Sequence, residues 1–95
     1  MTEIDAKINK PFEISLRSGA LSGYEWRPEF DQSALNLISK RHRNPTTKAF
    51  GAAGQEVFKF RAGQEGDHEI SFKLVRPTDS MGAAEQKIYT LHVKP

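Results

Sequence analysis

The side chains able to do chemistry in this chain are few and scattered. There are three histidines, at positions 42, 68 and 92, a serine beside a glycine at Ser22, and carboxylates at Glu56, Glu69 and Glu85 inside or beside strand-like stretches. Imidazoles that hold a metal usually come in pairs, at i, i+4 on a helix or i, i+2 on a strand, and these three fall in different segments. None has a carboxylate placed to tune it as a base, so they read as surface histidines on sheet faces. Ser22 lies in Leu21-Ser22-Gly23, which lacks the strand-to-helix elbow that exposes a hydrolase nucleophile. Glu56, Glu69 and Glu85 take outward strand positions or strand ends, where solvated charges belong, and do not form an acid/base pair. The absence of cysteine removes thiol nucleophiles, disulfides and thiolate metal sites together. The expectation is a protein that is not an enzyme and has no catalytic residue, metal or cofactor.

Two further stretches carry a possible binding chemistry. Lys40-Arg41-His42-Arg43, with Lys48 nearby, could meet phosphates with Phe50 as a stacking surface. Nucleic-acid binders, however, interleave several aromatics with basic residues on one face, whereas the aromatics here fall on inward positions. A charged strand that protects a sheet edge accounts for the cluster, and no nucleic-acid partner is expected. Gly51-Ala52-Ala53-Gly54 is not followed by the lysine of a phosphate-binding loop and sits among strands.

The elements that position these residues follow from alternation. The chain has 95 residues, 37% of them hydrophobic and 27% charged, with a net charge of +2. Its isoelectric point is near 9.0. That is one soluble domain over residues 1–95, with no apolar run approaching the roughly 18 residues of a membrane span. Residues 1–7 include acids and no apolar h-region, so the chain as given reads as cytoplasmic, or as periplasmic or secreted had a leader been trimmed. The mild, interspersed charge names no partner by itself.

Apolar residues recur at every second position in Ile4, Ala6 and Ile8, and, after Pro11, in Phe12, Ile14 and Leu16. Tyr24 and Trp26 start a third strand, closed by Pro28, with Phe30 folding back as a cover. Leu35 and Leu37 carry a fourth over residues 35–41, where Ile38 breaks the pattern. Residues 55–62 and 68–76 alternate on Phe58 and Phe60 and on Ile70, Phe72 and Leu74, joined by a glycine-rich turn at 63–67 that predicts a hairpin pairing the two. Residues 86–94 form the last strand on Tyr89, Leu91 and Val93. The fold class is therefore all-β: an immunoglobulin-like antiparallel β-sandwich of about seven strands. In such a sandwich the loops after the second, fourth and sixth strands gather at one end. These are 17–23, 42–54 and 76–83, the irregular segments of the chain. In the first, Gly19 and Gly23 permit positive φ and Trp26 anchors the strand that follows. The loops at the other end are shorter turns, an asymmetry that points to a binding protein.

Three motifs coincide with those loops. Gly23-Tyr24-Glu25-Trp26 is similar to a glycine-aromatic-x-tryptophan strand start, Gly51-Ala52-Ala53-Gly54 to a glycine-rich middle loop, and Arg76-Pro77 to the start of an arginine-proline-aromatic loop. In order and spacing the chain resembles the chagasin-type inhibitors of papain-like cysteine peptidases, from about Pro11 to Lys94. The resemblance implies a monomeric, non-catalytic inhibitor that needs no cofactor. It would block the peptidase's active-site cleft with Gly19, Ala20, Leu21, Ser22 and Gly23, with Gly51, Ala52, Ala53 and Gly54, and with Arg76, Pro77 and Thr78. No membrane partner is implied. The chain departs from the family pattern in two places. Residues 19–22 stand where the family has asparagine-proline-threonine-threonine, a string that occurs here instead as Asn44-Pro45-Thr46-Thr47, and Thr78 replaces the aromatic. The alternative these departures suggest is a non-inhibitory immunoglobulin-like interaction module.

Overall fold

The computed structural model describes residues 2–20, 23–45, 54–78 and 82–95. Within them the chain forms β1 (Thr2–Lys7), β2 (Phe12–Arg17), β3 (Glu25–Glu29), β4 (Leu35–Arg43), β5 (Gln55–Ala62), β6 (Gly66–Val75) and β7 (Glu85–Lys94). They make a four-stranded sheet, ordered β1-β7-β6-β3, and a three-stranded sheet, ordered β2-β5-β4. The alternation is visible in the burial. Ile14 and Leu16 of β2, Phe58, Phe60 and Ala62 of β5, and Ile70 and Phe72 of β6 are all buried between the sheets. Ring contacts join the layers: Phe58 lies 4.9 Å from Phe72, and Phe30 meets Phe60 edge-on at 5.3 Å, as a cover residue should.

The expected hairpin of residues 55–62 with 68–76 does not form. β5 pairs with β2 and β4, and β6 with β3 and β7, so the turn at residues 63–65 carries the chain from one sheet to the other. Alternation identifies two strands and a turn but not the layer each joins. The phenylalanines of β5 and β6 meet across the interlayer space instead of side by side.

Other boundaries shift for local reasons. Pro28 lies inside β3 and does not close it; β3 is an edge strand, where a residue without N–H is tolerated. The irregularity at Ile38 is a bulge. The register against β5 slips between Leu37 and Ser39, after which Lys40 faces Phe58 and the strand runs on to Arg43. β1 pairs with β7 in parallel, the one exception to the antiparallel pattern among the described strands.

Candidate functional site

The ends of β2, β4 and β6 and the starts of β3, β5 and β7 lie together at one end of the sandwich. Arg17 and Arg43 both pair with Gln55 in one sheet, while Glu25 pairs with Val75 and Leu74 with Glu85 in the other. The described ends of the three irregular connections therefore meet at a common edge, as the strand count implies.

Side chains brace this edge. Trp26, on the four-stranded sheet, is only 2% exposed, and its indole N–H donates to the Arg17 carbonyl oxygen of the other sheet at 2.8 Å. One large apolar residue thus fixes both the end of β2 and the return of the first loop. Directly after Arg17, the Ser18 N–H donates to the Gly54 carbonyl oxygen at 2.9 Å, tying the first connection to the end of the second. The Ser18 hydroxyl donates to Glu56 Oε1 at 3.2 Å and accepts from the Ala20 N–H at 3.1 Å. His42 Nδ1 lies 3.2 Å from the same carboxylate oxygen.

Two sequence expectations fail here for one physical reason. Alternation assigns Glu56 to an outward position or strand end among solvated charges, and gives His42 no carboxylate partner. In the sandwich, Glu56 and His42 are register partners on the inner side of their sheet, and the Glu56 side chain is 14% exposed. At the mouth of a sandwich, inward positions run out of apolar neighbours, and hydrogen bonds can satisfy a carboxylate there. The alternation was legible; the point where the core ends was not.

The glycines divide the work. Gly23 takes φ of 79°, and its N–H donates to the Ala20 carbonyl oxygen, closing a tight turn. Gly19, expected to use positive φ, does not. It is needed for close approach, since a Cβ there would stand 2.9 Å from Tyr24 Cβ and 3.2 Å from Leu74 Cδ1. Gly54 is a second close-approach glycine, buried, where a Cβ would collide with the Arg43 carbonyl oxygen and come within 2.8 Å of His42 Nε2. The third connection touches the first: the Arg76 guanidinium stacks over the Tyr24 ring at 4.6 Å, while Pro77 and Thr78 are exposed.

Of the sequence-derived contact residues, the structure therefore brings together Gly19, Ala20, Gly23, Gly54, Arg76, Pro77 and Thr78 at one edge. Leu21, Ser22, Gly51, Ala52 and Ala53 lie outside the described residues, as do Thr46 and Thr47. Sequence reasoning missed Ser18, Glu56 and His42, and only a three-dimensional placement of the strand ends could have joined them.

Among the described residues, no group of three or more His, Asp and Glu side chains is arranged to hold a metal ion. No helix there is long and apolar enough to cross a membrane. His92, also expected to lack carboxylates, is at the far side of the molecule, between Asp67 at 2.7 Å and Glu3 at 3.0 Å, and those two acceptors raise its pKa. It bridges neighbouring strands on an outer sheet face and is remote from the loops.

Comparison with known proteins gives this geometry a context. The model of the chagasin family peptidase inhibitor I42 matches residues 5–93. No curated protein sequence matches the chain significantly. Among solved structures, the cysteine protease inhibitor EhICP2 from Entamoeba histolytica superposes with a TM-score of 0.79 at 16% identity, covering 97% of this chain and 85% of its own. PbICP-C, solved in complex with falcipain-2, gives 0.63 at 16% identity, with 97% and 86% covered. Amebosin, known from its solution structure, gives 0.59 at 19% identity, with 98% and 89% covered. At these identities the structural likeness speaks for the fold, and the immunoglobulin-like sandwich agrees with it.

Proposed function

The chain belongs to the chagasin family of peptidase inhibitors, and from that premise we propose that it inhibits papain-like cysteine peptidases by inserting its three-loop edge into the active-site cleft. The observation that carries the reading is the convergence, on one braced edge, of the strand ends that carry the three irregular connections, in a chain whose family is defined by inhibition. PbICP-C, of the same fold, was solved with falcipain-2 bound, which supports a peptidase as the partner. The contact residues are 19–23 of the first loop, 51–54 of the second and Arg76, Pro77 and Thr78 of the third.

Blockade is steric. The described residues of the edge offer small side chains, backbone groups and the Arg76 guanidinium, and membership of an inhibitor family supports an inhibitor rather than an enzyme. It acts as a monomer with no cofactor, and neither nucleic acid nor membrane is a partner. Ser18, Glu56 and Gly54 hold the bases of two loops in place before binding, so less conformational entropy is lost at the interface.

Titrating papain and cathepsin-type peptidases with the purified protein tests this reading. Reversible inhibition, competitive with substrate, is expected; no inhibition at high micromolar concentration would leave the loops as the contact surface of a non-inhibitory interaction module.

A further inference from the structure

The outer face of the three-stranded sheet carries a ladder of cations that starts at the loop edge and runs away from it along β5, and we propose that this face binds a linear polyanionic polysaccharide. Register places the ladder. Arg17 and Arg43 flank Gln55 in one row, Arg41 flanks Val57 in the next, Lys59 lies opposite Glu13 in the third, and Arg61 opposite Asn36 in the fourth. At ~3.4 Å per residue, the rows from Gln55 to Arg61 span roughly 20 Å along β5.

The side chains face one another across that surface. Arg41, on β4, reaches over β5 to Glu13 on β2 at 2.7 Å, and this pair roofs Val57, which is fully buried although it points away from the core. Glu13 is held below the usual carboxylate range first by its bond to Arg41 and then by the charges of Arg41, Lys59 and Arg43. Glu13 is thus the lone acid in a field of cations on this face, and Arg41 already neutralises it. No ion pair engages the side chains of Arg17, Arg43, Lys59 or Arg61 among the described residues. The outer face of the other sheet differs, interleaving Glu3, Asp5, Asp67 and Glu69 with Lys7 and Lys94.

The composition of the ladder selects the occupant. It has no aromatic side chain, so it lacks the stacking platform of single-stranded nucleic-acid binders. Apart from Ile38, at the bulge on the edge strand and 45% exposed, it offers no exposed large apolar residue. The core of a protein interface is depleted of charge and enriched in aromatic residues, and an amphipathic membrane-docking face inserts apolar side chains. What remains is a flexible chain bearing sulfate or carboxylate groups at regular intervals. Guanidinium groups, which dominate the ladder, bind such oxyanions in two-point fashion.

The test uses the full chain and heparin as the probe, with binding measured against salt concentration. Wild type is expected to bind with an affinity that falls steeply with salt, in the manner of a polyelectrolyte. Lys59→Glu/Arg61→Glu, which touches none of the three loops, is expected to weaken heparin binding at least about tenfold while leaving peptidase inhibition unchanged. Lys7→Glu/Lys94→Glu makes the same change in net charge on the other sheet and is expected to retain binding. No heparin binding by wild type, or equal losses in the two double variants, would overturn the proposal. Binding to duplex DNA or to phosphatidylserine vesicles as tight as to heparin would overturn the choice of occupant.

Discussion

The two ends of the sandwich are closed by different means. At the end opposite the site, backbone bonds predominate: Ile8 donates to the Lys94 carbonyl oxygen, Asn9 to that of Ala62 and Gly63 to that of Ala34, and the Gln64 side chain adds one bond to the Ser33 carbonyl oxygen. Turns of a few residues leave little chain to arrange. At the site end the connections are longer, and side chains take over: the Trp26 indole on Arg17, the Ser18 hydroxyl and His42 on Glu56, and the Arg76 guanidinium on Tyr24. Short turns are closed mainly by backbone bonds, whereas at the site end side-chain braces act beside the backbone bond of Ser18 to Gly54 to fix the bases of the loops. Changes at the braced end should therefore cost both stability and inhibition, and changes elsewhere stability alone.

The largest effect is expected at Gly54. A methyl group there meets the Arg43 carbonyl oxygen and the His42 ring in a buried position, so Gly54→Ala should destabilise by about 3 kcal/mol, the upper range for overpacking. Because both strands carrying the second loop must part, inhibition should fall by at least tenfold under conditions where the variant stays folded. Urea unfolding read beside inhibition would separate the two effects; a variant as stable and as potent as wild type would dissolve the distinction between the ends.

Glu56→Ala comes next. It strands the Ser18 hydroxyl and removes the partner of His42, at a cost of about 1–3 kcal/mol. Inhibition should weaken severalfold, and Glu56→Gln, which keeps an acceptor at Oε1, should restore most of it. Equal potency in all three proteins would mean that the network supports the fold without positioning the loops.

The smallest effect is expected at His92, away from the loops. Its pKa is raised above the ordinary 6.5 by its bonds to Asp67 and Glu3. A base whose folded pKa is raised contributes stability that is fully present below its unfolded pKa and is lost as pH climbs through the folded value. The margin in melting temperature of wild type over His92→Gln should therefore be greatest below the ordinary imidazole pKa of 6.5 and shrink as pH rises above it. Inhibition should not change. A margin that grows toward alkaline pH would contradict the assignment.

Much of this was legible in the chain because alternation is a local signal. Phe12, Ile14 and Leu16, or Tyr89, Leu91 and Val93, declare an inward face without reference to any neighbour, and the strand count then gathers the three loops at one end. What was not legible depends on which strands share a sheet. The turn at residues 63–65 has hairpin chemistry yet crosses between layers, and no local feature distinguishes the two outcomes. The same gap hid the brace, since Ser18, His42 and Glu56 lie far apart in the chain and meet only once β2, β5 and β4 are in register. Gly19 reads in the sequence as a positive-φ turn residue and Gly54 as part of a glycine-rich loop, whereas their missing Cβ atoms make room for close packing.

The central claim is that the braced edge is the surface the peptidase covers. Amide hydrogen exchange of the chain, alone and with papain whose catalytic cysteine has been replaced, measures that surface directly. Slowed exchange is expected at residues 19–23, 51–54 and 76–78, with the turns at 8–11 and 63–65 unaffected. Protection confined to those turns or to the outer faces of the sheets, with the loops exchanging as fast as in the free protein, would contradict it.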